Sequence, residues 1–283
     1  DHEVNIKILL DQVVRDGGLD LEARNEFLAS MTDEVAELVL RDNYEQNVLL
    51  GNARAQEHQM ASVHERLMRW LEDRGDLDRE LEFLPSTAEL EKRVHDGLGL
   101  KSPEFAVLVA YAKLALKHDL LESSLPDDPY FAQTLEDYFP SAMRQRYAAQ
   151  IADHPLRREI ITNSVANSVV NRGGITFPFR AFEETGAGAE QVARAFVVCR
   201  EIFDLAGYVE RVEALDNVVP TAAQTRLYLE FRRLLDRAVR WFLTARPGQL
   251  DIGAEIERLR DSAQGMGFQG PGLPPAGETR RLD

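Results

Sequence analysis

The sequence predicts an all-α fold of about ten helices. Apolar side chains recur at helical spacing along most of the 283 residues, and typical helix-start and helix-stop residues separate the runs. The chain lacks the sustained apolar–polar alternation that marks a half-buried strand. Its only extended-looking segment is GITFPFRAF, in which Pro178 argues against a central strand.

The first helices are predicted within residues 1–74. In DHEVNIKILLDQVV the apolar side chains exceed the narrow stripe of an isolated surface helix, so we expect this helix to be covered on most sides. After RDGGLD, Asp20 can cap a short helix that ends near Ala29. Thr32 then opens a long helical pattern to about Arg74, whose middle, NARAQEHQ, is polar all round.

A boundary between two lobes is predicted at the acidic stretch EDRGDLDRELEFLPS, which contains a proline near its end. Just after it, Ser86 and Glu89 have the spacing of a capping box that starts the next helix. In KSPEFAVLVAYAKLALKHDLL, Ser102 is predicted to be the cap and Pro103 the first helical residue. This helix is rich in Ala, Leu and Val, and we expect it to be central.

Further helices are predicted in the second half of the chain. Asp128 is expected to cap one helix, and Pro140 to begin another. The others are predicted at 156–171, 188–204, 206–215, 220–245 and 251–263. The glycines of NRGGIT follow a helix, so they are predicted to form a C-terminal cap and not a phosphate cradle. Arg180 is expected to pair locally with Glu183 and Glu184.

Composition and charge argue against several classes of protein. Hydrophobic residues at 44% and charged residues at 29% are typical of a soluble globular protein, and the net charge of -15 argues against a non-specific nucleic-acid binder. The sequence contains neither a run long enough to span a membrane nor a signal-peptide pattern, so a cytoplasmic location is expected. Residues 1–100 hold 23 acidic and 11 basic side chains, which we interpret as solvated outer faces of helices.

The sequence offers no convincing active site. His58 and His64 are six residues apart, which places them on different sides of a helix and not around one metal ion. Cys199 shares a helical face with apolar residues, so it is predicted to be a core thiol and not a nucleophile. The sequence has no G-x-S-x-G elbow, no P-loop and no G-x-G-x-x-G fingerprint.

One polar pattern has two interpretations. Asn163, Asn167 and Asn171 recur every four residues, so they stack on one side of a helix, and Ser164 and Ser168 widen that stripe. The stripe is either a solvated face with Asn171 at the helix cap, or an amide ladder buried against another helix or subunit.

Two groups of sequence runs carry a family resemblance. The first group is NSVVNRGGITFPFRAFEETGAGAEQVARAF, followed by REIF, EALDNVVP and LYLEFRRLLDRAVRWFL. The second is DHEVNIKILL with SMTDEVAELVLRDNYEQNVLL. The first group resembles the C-terminal helical region of the large bacterial NAD-specific glutamate dehydrogenases, and the second resembles the segment that directly follows their catalytic core. The resemblance covers about residues 1–260 in the same order.

The resemblance implies a division of the chain. Residues 1–84 would follow the catalytic domain and pack back on it, although that domain is absent from this sequence. Residues 85–263 would form the C-terminal helical domain. Residues 264–283 depart from the family pattern because they are rich in Gly and Pro, and they are predicted to be disordered.

The resemblance also implies a function. The parent enzyme would convert L-glutamate, NAD⁺ and water to 2-oxoglutarate, ammonium and NADH. This chain would brace the catalytic domain, contribute to subunit contacts in a homo-oligomer, or take part in regulation. It carries none of the family's catalytic, cofactor-binding or metal-binding motifs, so NAD belongs to the parent and the chain alone is expected to be inactive.

The resemblance and the sequence spacing give two sets of candidate site residues. His2 and Glu3 would lie near the substrate cleft of the whole enzyme, an inference from position alone. Asn163, Asn167 and Asn171 are the candidates for a helix–helix or subunit contact. The alternative function is a freestanding helical protein–protein interaction module, whose Asn stripe or acidic first third docks a partner protein. An independent all-α enzyme would need clustered carboxylates or histidines on one face, which the sequence does not suggest.

Overall fold

The computed structural model describes residues 1–246 and 248–265, and the side chains of 261–265 fall outside that description. All the regular structure in these residues is helical, which confirms the all-α prediction. Among the helices of this part of the chain, none combines the length and the apolar character needed to cross a membrane.

Fifteen α-helices are present in the described residues. The first five are α1 His2–Arg15, α2 Leu21–Ser30, α3 Thr32–Arg54, α4 Ala61–Asp73 and α5 Thr87–His95. The next five are α6 Ser102–Leu121, α7 Ala132–Asp137, α8 Ser141–Arg146, α9 Ala148–Ala152 and α10 Arg157–Gly173. The last five are α11 Phe177–Thr185, α12 Ala189–Ile202, α13 Leu205–Glu213, α14 Thr221–Ala245 and α15 Ile252–Gly265. Short 3₁₀ helices at Leu125–Asp127 and Pro129–Phe131 precede α7.

The number of helices exceeds the predicted ten for three local reasons. The single long helix expected over 32–74 is two helices, α3 and α4, separated by turns through the polar stretch 55–60. The region after Pro140 holds two short helices, α8 and α9. GITFPFRAF is not an extended segment: a turn at Ile175 and Thr176 leads into α11, with Pro178 in the first turn, where its missing N–H costs nothing.

The turn between α3 and α4 packs against the loop that precedes α6. A Cβ at Gly99 would lie 2.3 Å from the carbonyl oxygen of Glu57, so the loop before α6 approaches this turn at backbone distance. His58 contacts the end of α5, which precedes this loop, with its Nε2 3.2 Å from the carbonyl oxygen of Val94. The polar stretch therefore turns to follow a neighbouring loop and does not continue as a solvent-exposed helix.

Several predicted helix caps are confirmed and one is wrong. The Asp20 carboxylate accepts a hydrogen bond from the Ala23 amide at 2.8 Å. The Ser86 hydroxyl accepts from the Glu89 amide at 3.2 Å. Helix α6, however, begins one residue earlier than predicted, with Lys101 as its N-cap. The Glu104 carboxylate accepts from the Lys101 amide at 2.6 Å, and this bond fixes the earlier start.

One continuous hydrophobic core holds the helices together. Helix α6 contacts α3, α4, α10 and α12, which confirms that it is central. In α12 every side chain from Val192 to Cys199 is buried, including the predicted core thiol. The core joins α1 and α4 to helices beyond residue 85, so it crosses the predicted boundary between the two lobes. The division at 84 and 85 stays a prediction.

Each of the first three helices leaves part of its surface exposed. Helix α1 buries Ile6, Leu9, Leu10 and Val13, and most of its other side chains are partly buried, so it is covered on most sides as expected, although Val4 is 61% exposed. Helix α2 buries no side chain, and α3 buries only its last part, from Leu49 onward. The exposed large apolar side chains of this region are Val4, Leu21, Val39 and Leu40.

The end of α10 confirms the predicted glycine cap. Gly174 follows the helix with φ of 108°, a value that a residue with a Cβ rarely adopts. At the other end of the chain, the predicted disordered tail lies outside the described residues, except for positions 264–265, which continue α15.

Candidate functional site: a polar groove along α10

A groove of about 480 Å³ runs beside α10 and is the largest recess bearing the predicted site residues. Helix α10 contributes Asn163, Ser164, Asn167, Ser168 and Arg172. The other lining residues come from α1, α3, α7 with the following Tyr138, α12 and α13. The groove exists because α10 buries its opposite face, where Ile160, Ile161, Val165 and Val169 pack into the core. We refer to it as the α10 groove.

Asn163 and Asn167 are half-buried, and within the described residues neither side chain makes a hydrogen bond. Four residues of helix separate them, so their amides follow one line along the groove. An amide both donates and accepts hydrogen bonds without carrying a charge, which suits it to the polar groups of another protein surface. The structure leaves this pair available for an external partner.

Asn171 differs from the other two members of the stripe. It is 6% exposed, and its Nδ2 donates to the Glu45 carboxylate of α3 at 3.3 Å. Its Oδ1 is buried without a hydrogen-bond partner. Asn171 is therefore a helix–helix contact inside this chain, and Gly174, not Asn171, is the C-cap.

His2 also lines the α10 groove, so the structure brings it together with Asn163 and Asn167. Its ring stacks on Tyr138 with centroids 4.2 Å apart, and its Nδ1–H donates to the Tyr138 carbonyl oxygen at 3.0 Å. Its Nε2 lies 3.4 Å from the Asp42 carboxylate. These contacts fix the imidazole at the border between α1, α3 and the residues that follow α7.

Glu3 lies elsewhere. It is exposed, it lines a separate recess beside α2, and Lys7 donates to its carboxylate at 2.5 Å. The hydrogen bond from Lys7 and the charge of that ammonium group lower the pKa of Glu3. The two predicted cleft-proximal residues therefore face different surroundings.

Charged pairs tie the helices around the groove together. Arg41 of α3 donates to both carboxylate oxygens of Glu213 in α13, at 2.6 and 3.0 Å. Arg172 of α10 donates to Glu45 of α3. On α6, burial lowers the pKa of Lys113 to about 8, although the charges of Asp42 and Glu45 oppose this shift. Sequence patterns could not reveal these pairs, because their partners are far apart along the chain.

The predicted local ion pair of Arg180 is wrong. Arg180 donates to both carboxylate oxygens of Asp236 in α14, at 2.7 and 2.8 Å. Glu183 instead accepts from Arg66 at 2.8 Å, and Glu184 accepts from Arg240 at 2.9 Å. Helix α11 turns Arg180 toward α14, so a long-range partner with two parallel hydrogen bonds replaces the local one.

The thiol of Cys199 is part of the hydrophobic core. Burial raises the pKa of the Cys199 thiol, so it stays protonated at neutral pH and packs as a small apolar side chain. Among the side chains of residues 1–246 and 248–260, no group of three or more His, Cys, Asp or Glu is placed to hold a metal ion.

Two family models match this chain. The model described as "Glutamate dehydrogenase, C-terminal" matches residues 97–282. The model described as "Bacterial NAD-glutamate dehydrogenase, catalytic domain" matches residues 1–53. The second match covers α1, α2 and nearly all of α3, the three helices with uncovered outer faces.

Three curated relatives are named NAD-specific glutamate dehydrogenase. The relative from Halomonas elongata is 46% identical over 248 residues, which are 88% of this chain and 15% of the relative. The relative from Mycobacterium tuberculosis is 45% identical over 259 residues, 92% of this chain and 16% of the relative. The relative from Pseudomonas aeruginosa is 42% identical over 269 residues, 95% of this chain and 17% of the relative. The chain thus spans about one sixth of the length of these relatives.

Proposed function

This chain belongs to the glutamate dehydrogenase C-terminal family, and we propose that it is the C-terminal helical part of an NAD-specific glutamate dehydrogenase. The parent enzyme would oxidise L-glutamate with NAD⁺ and water to 2-oxoglutarate, ammonium and NADH, in the cytoplasm. NAD and glutamate would bind outside this chain. The chain itself would act as a buttress for the catalytic domain.

The observation that carries the buttress role is the uncovered face of α1, α2 and α3. Val4, Leu21, Val39 and Leu40 are exposed apolar side chains within the segment that matches the catalytic-domain model. Burying such a side chain contributes roughly 1.5–3 kcal/mol, before the costs of association are subtracted. We therefore assign this face to the contact with the catalytic domain.

The inner faces of the same helices support this role. Ile6, Leu9 and Leu49 belong to the core that also contains residues of α6, α10 and α12. A domain packed on the outer face of α1–α3 would thus rest on the whole helical array. In this arrangement Glu3, which points outward, is the better candidate for a position near the substrate cleft, whereas His2 is turned toward the α10 groove.

We assign the α10 groove to contacts between subunits of a homo-oligomer. Asn163 and Asn167 have no hydrogen-bond partner among the described residues, and the charged pairs beside them tie together the helices that line the groove. A second subunit that supplied matching donors and acceptors would satisfy both amides.

The test uses the parent enzyme with charges placed on the proposed contact. Replacing Val39 and Leu40 together by Glu should lower glutamate-dependent NADH formation at least about tenfold, because a charged group would be forced into an apolar contact. Val218→Glu is the matched control, since Val218 is 72% exposed and lies outside residues 1–53. The same double substitution in this chain alone should leave its thermal midpoint unchanged. Full activity of the doubly substituted parent enzyme would refute the buttress role.

A separate measurement tests where the chemistry resides. Calorimetry of this chain with NADH should show no binding, and a coupled assay with glutamate and NAD⁺ should show no turnover. Binding or turnover by the chain alone would overturn the assignment of both to the rest of the enzyme.

A further inference from the structure

A second cavity, of about 120 Å³, lies where the turn between α10 and α11 meets α4 and α14. Gln56, His64, Gly174, Thr176 and Arg232 are among its lining residues, and we refer to it as the Arg232 cavity. A single water molecule needs roughly 10–15 Å³ of such space, so the cavity has room for a group of several non-hydrogen atoms.

Arg232 lacks an anionic partner in the described residues. Its Nε donates to the carbonyl oxygen of Arg172, and its Nη2 donates to that of Asn171, both at 3.0 Å. Its Nη1 has no acceptor there and lies beside Gly174, 3.6 Å from where a Cβ would stand. Burial and the neighbouring cations of Arg172 and Arg180 lower the pKa of Arg232 to about 10, so it remains charged at neutral pH. Arg232 is partly buried, and an anion that compensates its charge would stabilise a cation in such surroundings.

The other charges around the cavity do not supply that anion. Asp236 is the one acidic residue of the cavity lining, and both its oxygens accept hydrogen bonds from Arg180. Arg233 also lines the cavity and pairs with Glu230 on the surface. The lining therefore holds three arginines against one aspartate, although the whole chain has a net charge of -15.

His64 provides an independent observation. It is 3% exposed, it lines the cavity, and its Nδ1 is buried without a hydrogen-bond partner. Burial lowers its pKa to about 4, so the ring is neutral at pH 7 and one of its nitrogens carries a proton that it can donate. A nearly fully buried polar group of this kind normally has a partner.

The start of α11 adds backbone donors to the same cavity. The N–H groups of Ile175 and Thr176, both lining residues, make no backbone hydrogen bond in the described structure. They precede the first turn of a nine-residue helix, where the helix dipole favours negative charge.

We propose that the Arg232 cavity binds a small oxyanion, a phosphate or a carboxylate group. Arg232 Nη1, the His64 ring and the N–H groups at the start of α11 would donate hydrogen bonds to its oxygens. Its binding would join α4, the α10–α11 turn and α14 at one point, so the bound anion would stabilise the helical array. The proposal does not depend on the enzyme to which the chain belongs.

The test uses the intact chain and two simple probes, inorganic phosphate and acetate. Thermal midpoints are measured in increasing concentrations of each salt, against sodium chloride of the same ionic strength. ³¹P line broadening of phosphate gives a second, direct measure of binding. A saturable rise with phosphate identifies a phosphate site, and a rise with acetate alone identifies a carboxylate site. If neither salt raises the midpoint above that in chloride, and phosphate shows no saturable broadening, the proposal is wrong.

Paired variants locate the site. Arg232→Gln should weaken binding of the effective anion at least about tenfold, because a charge-assisted donor is lost. Arg233→Gln, next to it in the chain, should change the affinity by less than about twofold. Arg232 also caps α10, so its substitution removes a helix cap as well as a ligand. His64→Phe is therefore a second variant. It keeps the ring contact with Phe105 and should weaken anion binding severalfold. Wild-type affinity in both the Arg232 and His64 variants would place any binding elsewhere and refute the site.

Discussion

His2 at the start of α1 stacks on Tyr138, with ring centroids 4.2 Å apart, and donates a hydrogen bond to the carbonyl oxygen of the same residue. This contact spans 136 positions of the chain. It anchors the segment that matches a catalytic-domain model to the helices that follow, and it orients the imidazole toward the α10 groove.

His2→Ala should destabilise the isolated chain by about 1–3 kcal/mol, because a buried stack and a buried hydrogen bond are both lost. Urea unfolding followed by circular dichroism measures the change. Glu3→Ala is the matched control on the next residue, and since Glu3 is exposed it should cost less than about 0.5 kcal/mol. Equal effects of the two substitutions would contradict the anchoring role of His2.

The long-range partner of Arg180 is testable by double-mutant cycles. Arg180 and Asp236, changed to Ala singly and together, should show a coupling energy of roughly 1–3 kcal/mol, because their two parallel hydrogen bonds are partly buried. The same cycle with Arg180 and Glu183 should give a coupling near zero. A larger coupling to Glu183 would restore the local ion pair that the sequence suggested.

The buried His64 makes stability depend on pH in a defined window. Its folded pKa of about 4 lies below the ordinary value of 6.5, so the unfolded chain binds more protons between these values. The contribution of the neutral ring to stability is complete above about pH 6.5 and falls as the pH drops toward 4. The total change is on the order of 3 kcal/mol.

Urea unfolding in chloride buffers between pH 4 and pH 7.5 measures this dependence. His64→Phe should flatten the curve between pH 6.5 and pH 4 while leaving the steeper fall at lower pH, where carboxylates become protonated. The substitution tests burial of a titrating ring and is independent of anion binding. An unchanged slope in the variant would show that His64 does not control this window.

The three members of the asparagine stripe should respond differently to truncation. Asn163→Ala and Asn167→Ala should alter the free energy of unfolding of the isolated chain by less than about 0.5 kcal/mol, since neither side chain makes a hydrogen bond in the part of the chain that the structure describes. If the α10 groove is a subunit contact, the double variant should weaken oligomerisation of the parent enzyme, as measured by light scattering.

Asn171→Ala serves as the internal comparison. It removes the hydrogen bond to Glu45 beneath α3 and should cost about 1–2 kcal/mol in the isolated chain. An unchanged oligomer in the Asn163 and Asn167 double variant would remove the groove from the subunit interface.

Local features of the sequence predicted most of the helices. Asp20 and Ser86 accept the predicted capping hydrogen bonds, and Gly174 ends α10 with a positive φ. Such features involve residues within a few positions of one another, so they can be recognised without knowing the fold. The same locality explains the error at α6, where Glu104 reaches back to Lys101 and competes with a cap at Ser102.

The sequence predicted less about the candidate sites than about the helices. The spacing of Asn163, Asn167 and Asn171 placed them on one side of a helix, but it could not show that two face a groove and one faces Glu45. The pattern also could not place His2 in the same groove, because about 160 residues separate it from Asn163. The Arg232 cavity combines the NRGGIT turn, which the sequence predicted to be only a helix cap, with side chains of α4 and α14, so spacing along the chain could not reveal it.

The helical class, most helix ends and the family are predictable from the amino-acid sequence, because they depend on periodicity, capping residues and segments shared with the family, which are all local in the chain. The packing of the helices sets which charges pair, which amides lack a partner among the described residues, and where the chain turns between α3 and α4. The physical reason is that hydrogen bonds and desolvation act over a few ångströms of space. Residues such as Arg180 and Asp236 meet at that distance only after the helices have packed.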